Sequence, residues 1–395
     1  MFEKVVLRRS DNGLPLSVGE IAEALLFYQN VHLILDHSTL AILVRQIGMP
    51  HFLRLLSKPN VSAVYCEESL ATSTENISNK YYHKFVAMTL AGNQEAGALK
   101  SRKKRIEFIL NREGYNRRQS KRLAESFCRR VPLKKLSDDY FIAGGVINAV
   151  NSDIVDSNFV HEAMRRAVAG LSGKVIVPAD FQFEIISSQP TFQIITNFDF
   201  DALNVDLKAK DPSHEDLTPA HLANVILEAS TDTVLAAHYG GEFYTSNTSS
   251  DLIQLRHKGL LKRIGIEKNE LGEFNEIVIN DAPSVREALN SGVKSFDEFL
   301  VILDKSQKFR DWVQGVNPDE KIVREYMNSI NSEAWINRTD SKILRYILGS
   351  GVTYVEPVIG GALSVLDSLF SDKIFQGWRP SHFVDNRLKP FLGEK

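Results

Sequence analysis

Two short apolar runs, Val31–Leu35 and Val61–Cys66, constrain the fold of this chain more than any other feature. Each is too short for a stable helix, ends against acidic residues, and suits a strand buried in a sheet. Between them Ser38 can cap a helix over Thr39–Ile47 that Gly48 ends, and Pro50 opens a second helix through Leu56. Strand, helices and strand within about forty residues make a βαβ unit, whose crossover forces the two strands to run parallel. Phe2–Leu7 predicts another strand, Val18–Tyr28 an apolar-periodic helix, and Tyr81–Leu90 a further strand.

A chain of 395 residues exceeds one ordinary core, so several domains are expected. Hydrophobic content of 43% with 24% charged residues excludes a disordered chain. Cys66 and Cys128 are too few for a disulfide framework or an all-cysteine zinc site, which points to a reducing compartment. Met1–Arg9 lacks the long apolar stretch of a secretory signal, so cytoplasm is the expected location.

Charge is distributed unevenly. Between Arg102 and Lys135 thirteen lysines and arginines face only Glu107, Glu113 and Glu125, while the whole chain carries −2. The window predicts two helices, Arg102–Leu110 and Asn116–Arg130, joined by Glu113-Gly114-Tyr115. On the second, Leu123, Ala124, Phe127 and Val131 share one side, with Arg118, Arg122 and Arg129 opposite. Two helices, a short glycine turn and a cationic outer face are similar in layout to a helix-turn-helix. Arg117, Arg118, Lys121, Arg122, Arg129 and Arg130 are therefore the candidate contacts to DNA or RNA, because neutralised phosphates release counterions. A solvated face, or docking onto an acidic protein surface, would also account for the charge.

Further along, Val160–Leu171 predicts a helix, and Val175–Val177, Phe181–Ile186 and Thr191–Thr196 predict strands, the last two forming a hairpin through Ser188-Gln189-Pro190. Pro219–His238 reads as helix and Phe274–Ile279 as strand. After Pro283 helices are expected over Phe296–Trp312, Pro318–Trp335, Ser341–Leu348 and Val358–Phe375. The fold class is thus α/β and α+β multidomain: an α/β domain at 1–98, a basic helical region at 99–173, an α+β region at 174–282 and a helical C-terminal domain at 283–395. The acidic stretch Lys208–Asp216 is the expected linker.

A second constellation sits in the βαβ unit. Asp36 and His37 follow one strand, Glu67 and Glu68 the next. Parallel pairing places all four at the carboxyl edge, where α/β proteins bind ligands. A hydrolase using this acid and imidazole set, with His83 as an added ligand, is the alternative reading. Asp199, Asp201, Asn204 and Asp206 lack the glycine and final glutamate of a calcium loop, so a helix cap is expected instead. Gly170–Lys174 lacks a phosphate loop's upstream glycine, and Arg165 replaces the second histidine of a zinc-protease helix at His161-Glu162. No motif assigns a metal or names a cofactor.

The segment 346–366 is apolar and glycine-rich, with Glu356-Pro357 dividing it into halves too short to span a bilayer. It reads as a buried helical pair, with a conditional membrane contact as the other option. The aromatic ending, with Phe375, Trp378, Phe383 and Phe391, suits a docked tail or an interfacial anchor. The leading expectation is a cytoplasmic binding or sensing protein that engages a polyanion through the basic helices, its helical C-terminal region serving assembly or output. A structural subunit of a multiprotein, defence-type and membrane-acting complex is a third expectation, with a protein partner or a second copy bound.

Overall fold

The computed structural model describes residues 2–10, 13–89, 99–137, 145–171, 177–243, 249, 252–253, 255, 271–276, 278–279, 283–316, 322–330 and 380–393. Two compact units result: residues 3–21 with 30–265, and residues 1–2 and 22–29 with 266–395.

The first unit begins with β1 (Lys4–Leu7), the start of α1 (Val18–Phe27), β2 (Asn30–Leu35), α2 (His37–Ile47), α3 (Met49–Leu55) and β3 (Val61–Cys66). Strands β4 (Glu68–Ile77) and β5 (Lys80–Thr89) follow, then α4 (Arg102–Arg112), α5 (Arg117–Arg130) and the short β6 (Leu133–Lys134). Helices α6 (Gly145–Asp153) and α7 (Ser157–Leu171) lead to the hairpin β7 (Phe183–Ser188) and β8 (Thr191–Thr196). The unit continues with α8 (Phe200–Lys210), α9 (Pro219–Tyr239) and β9 (Glu242–Phe243).

Its main sheet has the order β6-β3-β2-β1-β9, and every pairing is parallel. The chain winds outward from β1 through β2 and β3, then returns to the other side of β1 with β9. Strand order therefore reverses between β1 and β9, the kind of position where open α/β sheets form their crevice. A second sheet, β4-β5-β8-β7, is antiparallel. The whole is a mixed α/β domain with a parallel sheet and helices, a smaller α+β region, and a mostly helical C-terminal segment.

One continuous core joins the two sheets. Val6, Ile34 and Val64 of the parallel sheet share it with Phe85, Phe183 and Phe192 of the antiparallel one and with Leu222, Ile226 and Leu235 of α9. Helix α9 is well delimited: Thr218 accepts from His221 N, Pro219 occupies the first turn, and Gly240 closes it at φ 64°. On the opposite face of the parallel sheet Tyr65 meets Phe127 of α5 edge to face at 5.7 Å, with Phe52 of α3 beside it. The apolar stripe of the basic helix thus fastens it beneath the sheet.

Several expectations are corrected. Strand β4, with only Leu70 buried, escapes the sequence pattern. The cap of α2 is Asp36 and not Ser38, since the Asp36 carboxylate accepts from Thr39 N at 2.7 Å. Lys208–Asp216 is no linker: Lys208 pairs with Asp216 at 2.6 Å, Asn204 holds both backbone groups of Leu217, and both flanks lie in one unit. Within Phe274–Ile279, expected as strand, residues 274–276 and 278 are helical.

The second unit contains the remainder of α1, helices α10 (Val285–Asn290), α11 (Phe296–Asp304), α12 (Gln307–Gln314) and α13 (Ile322–Ile330), and a C-terminal element. That element comprises α14 (Pro380–Phe383), a π-helical turn at Val384–Leu388 and α15 (Lys389–Leu392). The single helix expected over Phe296–Trp312 is two, because the chain turns at Lys305-Ser306. Phe27, Phe274, Phe309, Tyr326 and Phe383 form an aromatic cluster, Phe309 stacked on Phe383 at 5.0 Å. Phe391 is buried with Lys294 over its ring at 5.5 Å, so this part of the aromatic ending is docked. Phe375, Trp378 and segment 346–366 lie outside the described residues. Among the described residues no helix is long and apolar enough to cross a membrane.

Candidate nucleic-acid interface and the sheet edge

Helices α4 and α5 are built as an antiparallel pair with a fixed turn. Ser101 caps α4 through Lys104 N, and Asn116 caps α5 in a reciprocal box with Gln119. Between them the Tyr115 hydroxyl accepts from Met49 N at 2.9 Å, tying the turn to α3. Four of the window's cations have local structural duties. Arg102 donates to the carbonyls of Cys128 (2.9 Å) and Val131 (2.7 Å), closing the end of α5. Arg105 reaches Glu67 at the sheet edge, Nε to Oε1 at 2.8 Å. Lys103 pairs with Glu125 at 3.0 Å, and Lys104 with Glu107 at 2.9 Å.

On α5 the buried stripe is Ser120, Leu123, Ala124 and Phe127, and all six candidate contacts are exposed. They differ in their partners. Arg129 stands 3.7 Å from Glu125, and Arg130 donates to Ser126 Oγ. Arg117, Arg118, Lys121 and Arg122 make no hydrogen bond or ion pair among the described residues. Their placement runs against helix electrostatics: Arg117 and Arg118 occupy the first two positions, at the positive end of the dipole. Each also has a like charge four residues on, Lys121 and Arg122. The fold gains nothing from this repulsion.

At the carboxyl edge of the parallel sheet, Asp36, His37, Glu67 and Glu68 follow adjacent strands as their spacing implies. Their side chains turn to different partners. Asp36 caps α2 and pairs with Arg9 at 2.8 Å. Glu67 holds Arg105, and Glu68 accepts from Ser137 N and Oγ, both at 3.0 Å. Burial lowers the proton affinity of His37; Asp36 and Glu67 raise it, Arg112 lowers it, and the balance stays below the ordinary imidazole value. His83 does not join them. It is buried on β5 in the antiparallel sheet, its Nδ1 2.9 Å from Thr74 Oγ1. No family model matches the chain, and no curated protein or solved structure matches it.

The groups the sequence pattern missed are the arginines that follow β1. Arg8 and Arg9 border a cavity of about 20 Å³ with Asp36, Glu68, Glu228 and Thr231, room for a single water. Arg8 donates to Asp232 at 3.0 Å and to Glu228, so this crevice is closed by side chains already paired. Only their position after a predicted strand marked them in advance; the switch point depends on the two-residue β9, which the sequence pattern does not show. A Ser62–His32 contact at 2.8 Å joins β2 to β3, but His32 lies within the strand rather than at its carboxyl end. Asp199 caps α8 through Ala202 N at 2.9 Å, and Asp206 pairs with Lys210 at 2.9 Å, which is the expected structural role for that cluster. Among the described residues no three His, Cys, Asp or Glu side chains are placed to hold a metal ion.

Proposed function

We propose that this chain is a cytoplasmic nucleic-acid-binding protein whose phosphate-contacting surface is the outer face of α5. The observation that carries the reading is the set of four exposed cations, Arg117, Arg118, Lys121 and Arg122, that make no hydrogen bond or close ion pair among the described residues, the first two standing at the positive end of the helix dipole. A polyanion supplies the missing counter-charge. The free thiols Cys66 and Cys128 accord with a reducing compartment. The sheet-edge carboxylates take part by holding the basic pair in place, chiefly through Glu67 and Arg105.

Each phosphate contact adds about −0.9 to the log–log salt slope, so the two to four that this face can make should lower affinity for nucleic acid about 12- to 150-fold between 50 and 200 mM salt. The triple variant R118E/R122E/R129E should weaken binding by at least about a hundredfold while leaving circular dichroism and melting unchanged, because all three side chains lie opposite the buried stripe. Anisotropy titration of labelled DNA and RNA reads both effects. Absence of binding to any of them at low salt overturns the reading.

A further inference from the structure

We infer that the partner is duplex DNA, entered by the N-terminal half of α5 through the major groove. This rests on the nucleic-acid reading above and adds which nucleic acid, and which face of it.

The first argument is shape. Helix α5 has 14 residues, about 21 Å of length, and one side of it is exposed from end to end. Its outermost strip runs Arg118, Arg122, Glu125, Arg129, with Arg117 and Lys121 along one flank. The major groove of B-form DNA admits a helix of this diameter, whereas the deep, narrow groove of A-form RNA does not.

The second argument is what the surface lacks. Recognition of unpaired strands relies on aromatic rings that stack on bases. Between residues 101 and 135 the aromatics are Phe108, Tyr115 and Phe127. Phe127 is fully buried, Tyr115 is half-buried with its hydroxyl bound to Met49 N, and Phe108 is half-buried on α4. The outer strip of α5 offers guanidinium groups and no ring.

The third argument is polarity along the helix. Glu125 engages Lys103 and Arg129, so the C-terminal half carries a carboxylate with its cations already committed. The N-terminal half presents Arg117, Arg118 and Arg122 without a hydrogen bond or ion pair among the described residues, the first two at the positive end of the dipole, and Lys121 attracted by Glu125 without a hydrogen bond; the Asn116–Gln119 box and the Tyr115 tether hold this half in place. That half enters the groove. Arg118 and Arg122 reach base edges, and Arg117 and Lys121 meet the adjoining phosphates.

The test uses the full chain with three probes of one mixed sequence, two helical turns long (about 21 base pairs): duplex DNA, single-stranded DNA and duplex RNA. Duplex DNA should bind about tenfold tighter than either other probe. R118A and R122A should each cost about tenfold on that duplex, within the range for loss of one base contact. E125A should tighten binding, because it removes the carboxylate that faces the phosphates. Methyl green, which occupies the major groove, should compete, and netropsin in the minor groove should not. Equal or tighter binding of single strands or RNA, unaltered affinity of R118A and R122A, or competition by netropsin alone overturns this inference and leaves the nucleic-acid reading standing. Failure of all three probes to bind overturns that reading itself.

Discussion

Arg8→Ala should destabilise the unit formed by residues 3–21 and 30–265 by about 3–5 kcal/mol, the range for removing one member of a buried ion pair. The Arg8 side chain is 12% exposed and Asp232 7%, whereas Glu228 is 45% exposed. Burial works against the guanidinium charge, but Glu228, Asp232 and Asp36 together outweigh it and raise its proton affinity. Arg8 follows β1, and both carboxylates lie one turn apart on α9, so this contact fixes that 21-residue helix to the sheet it covers. Removing the guanidinium withdraws the cation from Asp232 while the carboxylate stays in the core. Glu228→Ala should cost under about 1 kcal/mol, because a half-exposed carboxylate is rehydrated and screened. The double variant R8M/D232L should lie closer to the parent than Arg8→Ala does, since exchanging both charges for apolar groups avoids stranding either. All three tryptophans, Trp312, Trp335 and Trp378, belong to the other unit, so amide exchange of β1 and far-ultraviolet dichroism in urea are the suitable measurements. A loss below about 1 kcal/mol for Arg8→Ala would make the contact a surface tie of little weight.

That network marks the boundary of what the sequence discloses. The parallel sheet is legible because buried strands read as short apolar runs, and a helical crossover leaves one pairing direction. The two faces of α5 are legible for a similar reason: Leu123, Ala124, Phe127 and Val131 recur at helical spacing, and all four are buried. Strand β4 is hidden because its Thr, Ser and Asn residues mostly face solvent, and its only guide is register with β5. The run Phe274–Ile279 ends in three β-branched residues that suit a strand, yet Phe274 and Val278 are also one helical turn apart and both are buried, so a short run fits either structure. The cap of α2 turns on a single bond, Asp36 to Thr39 N, and Ser38 two residues on has the same chemistry. For the site, position was readable and partners were not. Spacing put Asp36, Glu67 and Glu68 on one edge; Arg9, Arg105 and Ser137, which occupy them, come from distant segments.

His32 gives the second large effect, a loss of about 3 kcal/mol in stability as pH falls from 6.5 to 4, near 1.4 kcal/mol per unit. The imidazole is 6% exposed on β2, stacked on Tyr239 at 3.9 Å, with Nδ1 2.8 Å from Ser62 Oγ. Burial, then the charges of Lys4 and His238, push its pKa down to about 4. The ring is therefore neutral in the folded protein. In the unfolded chain it takes up a proton near pH 6.5, so the unfolded state binds more protons between the two values and stability falls with pH there. Above pH 6.5 both states are neutral and the contribution is constant. Among the described residues Nε2 is buried without a hydrogen-bond partner, so none of them is placed to accept a proton from the charged ring. His37 and His83 are also lowered by burial and add slope of the same sign, so the stability curve alone does not isolate His32. Glu162, held near 2 by Arg165 and Arg166, acts only at lower pH, where its own protonation removes stability. Two measurements separate these contributions. In His32→Gln the slope between pH 5 and 6.5 should fall by about 1 kcal/mol per unit relative to the parent. In the parent, the His32 ring protons should titrate in the folded state with a midpoint near 4. A midpoint near the ordinary imidazole value would mean that the buried site accommodates the charge, and the pH dependence would then belong to other groups.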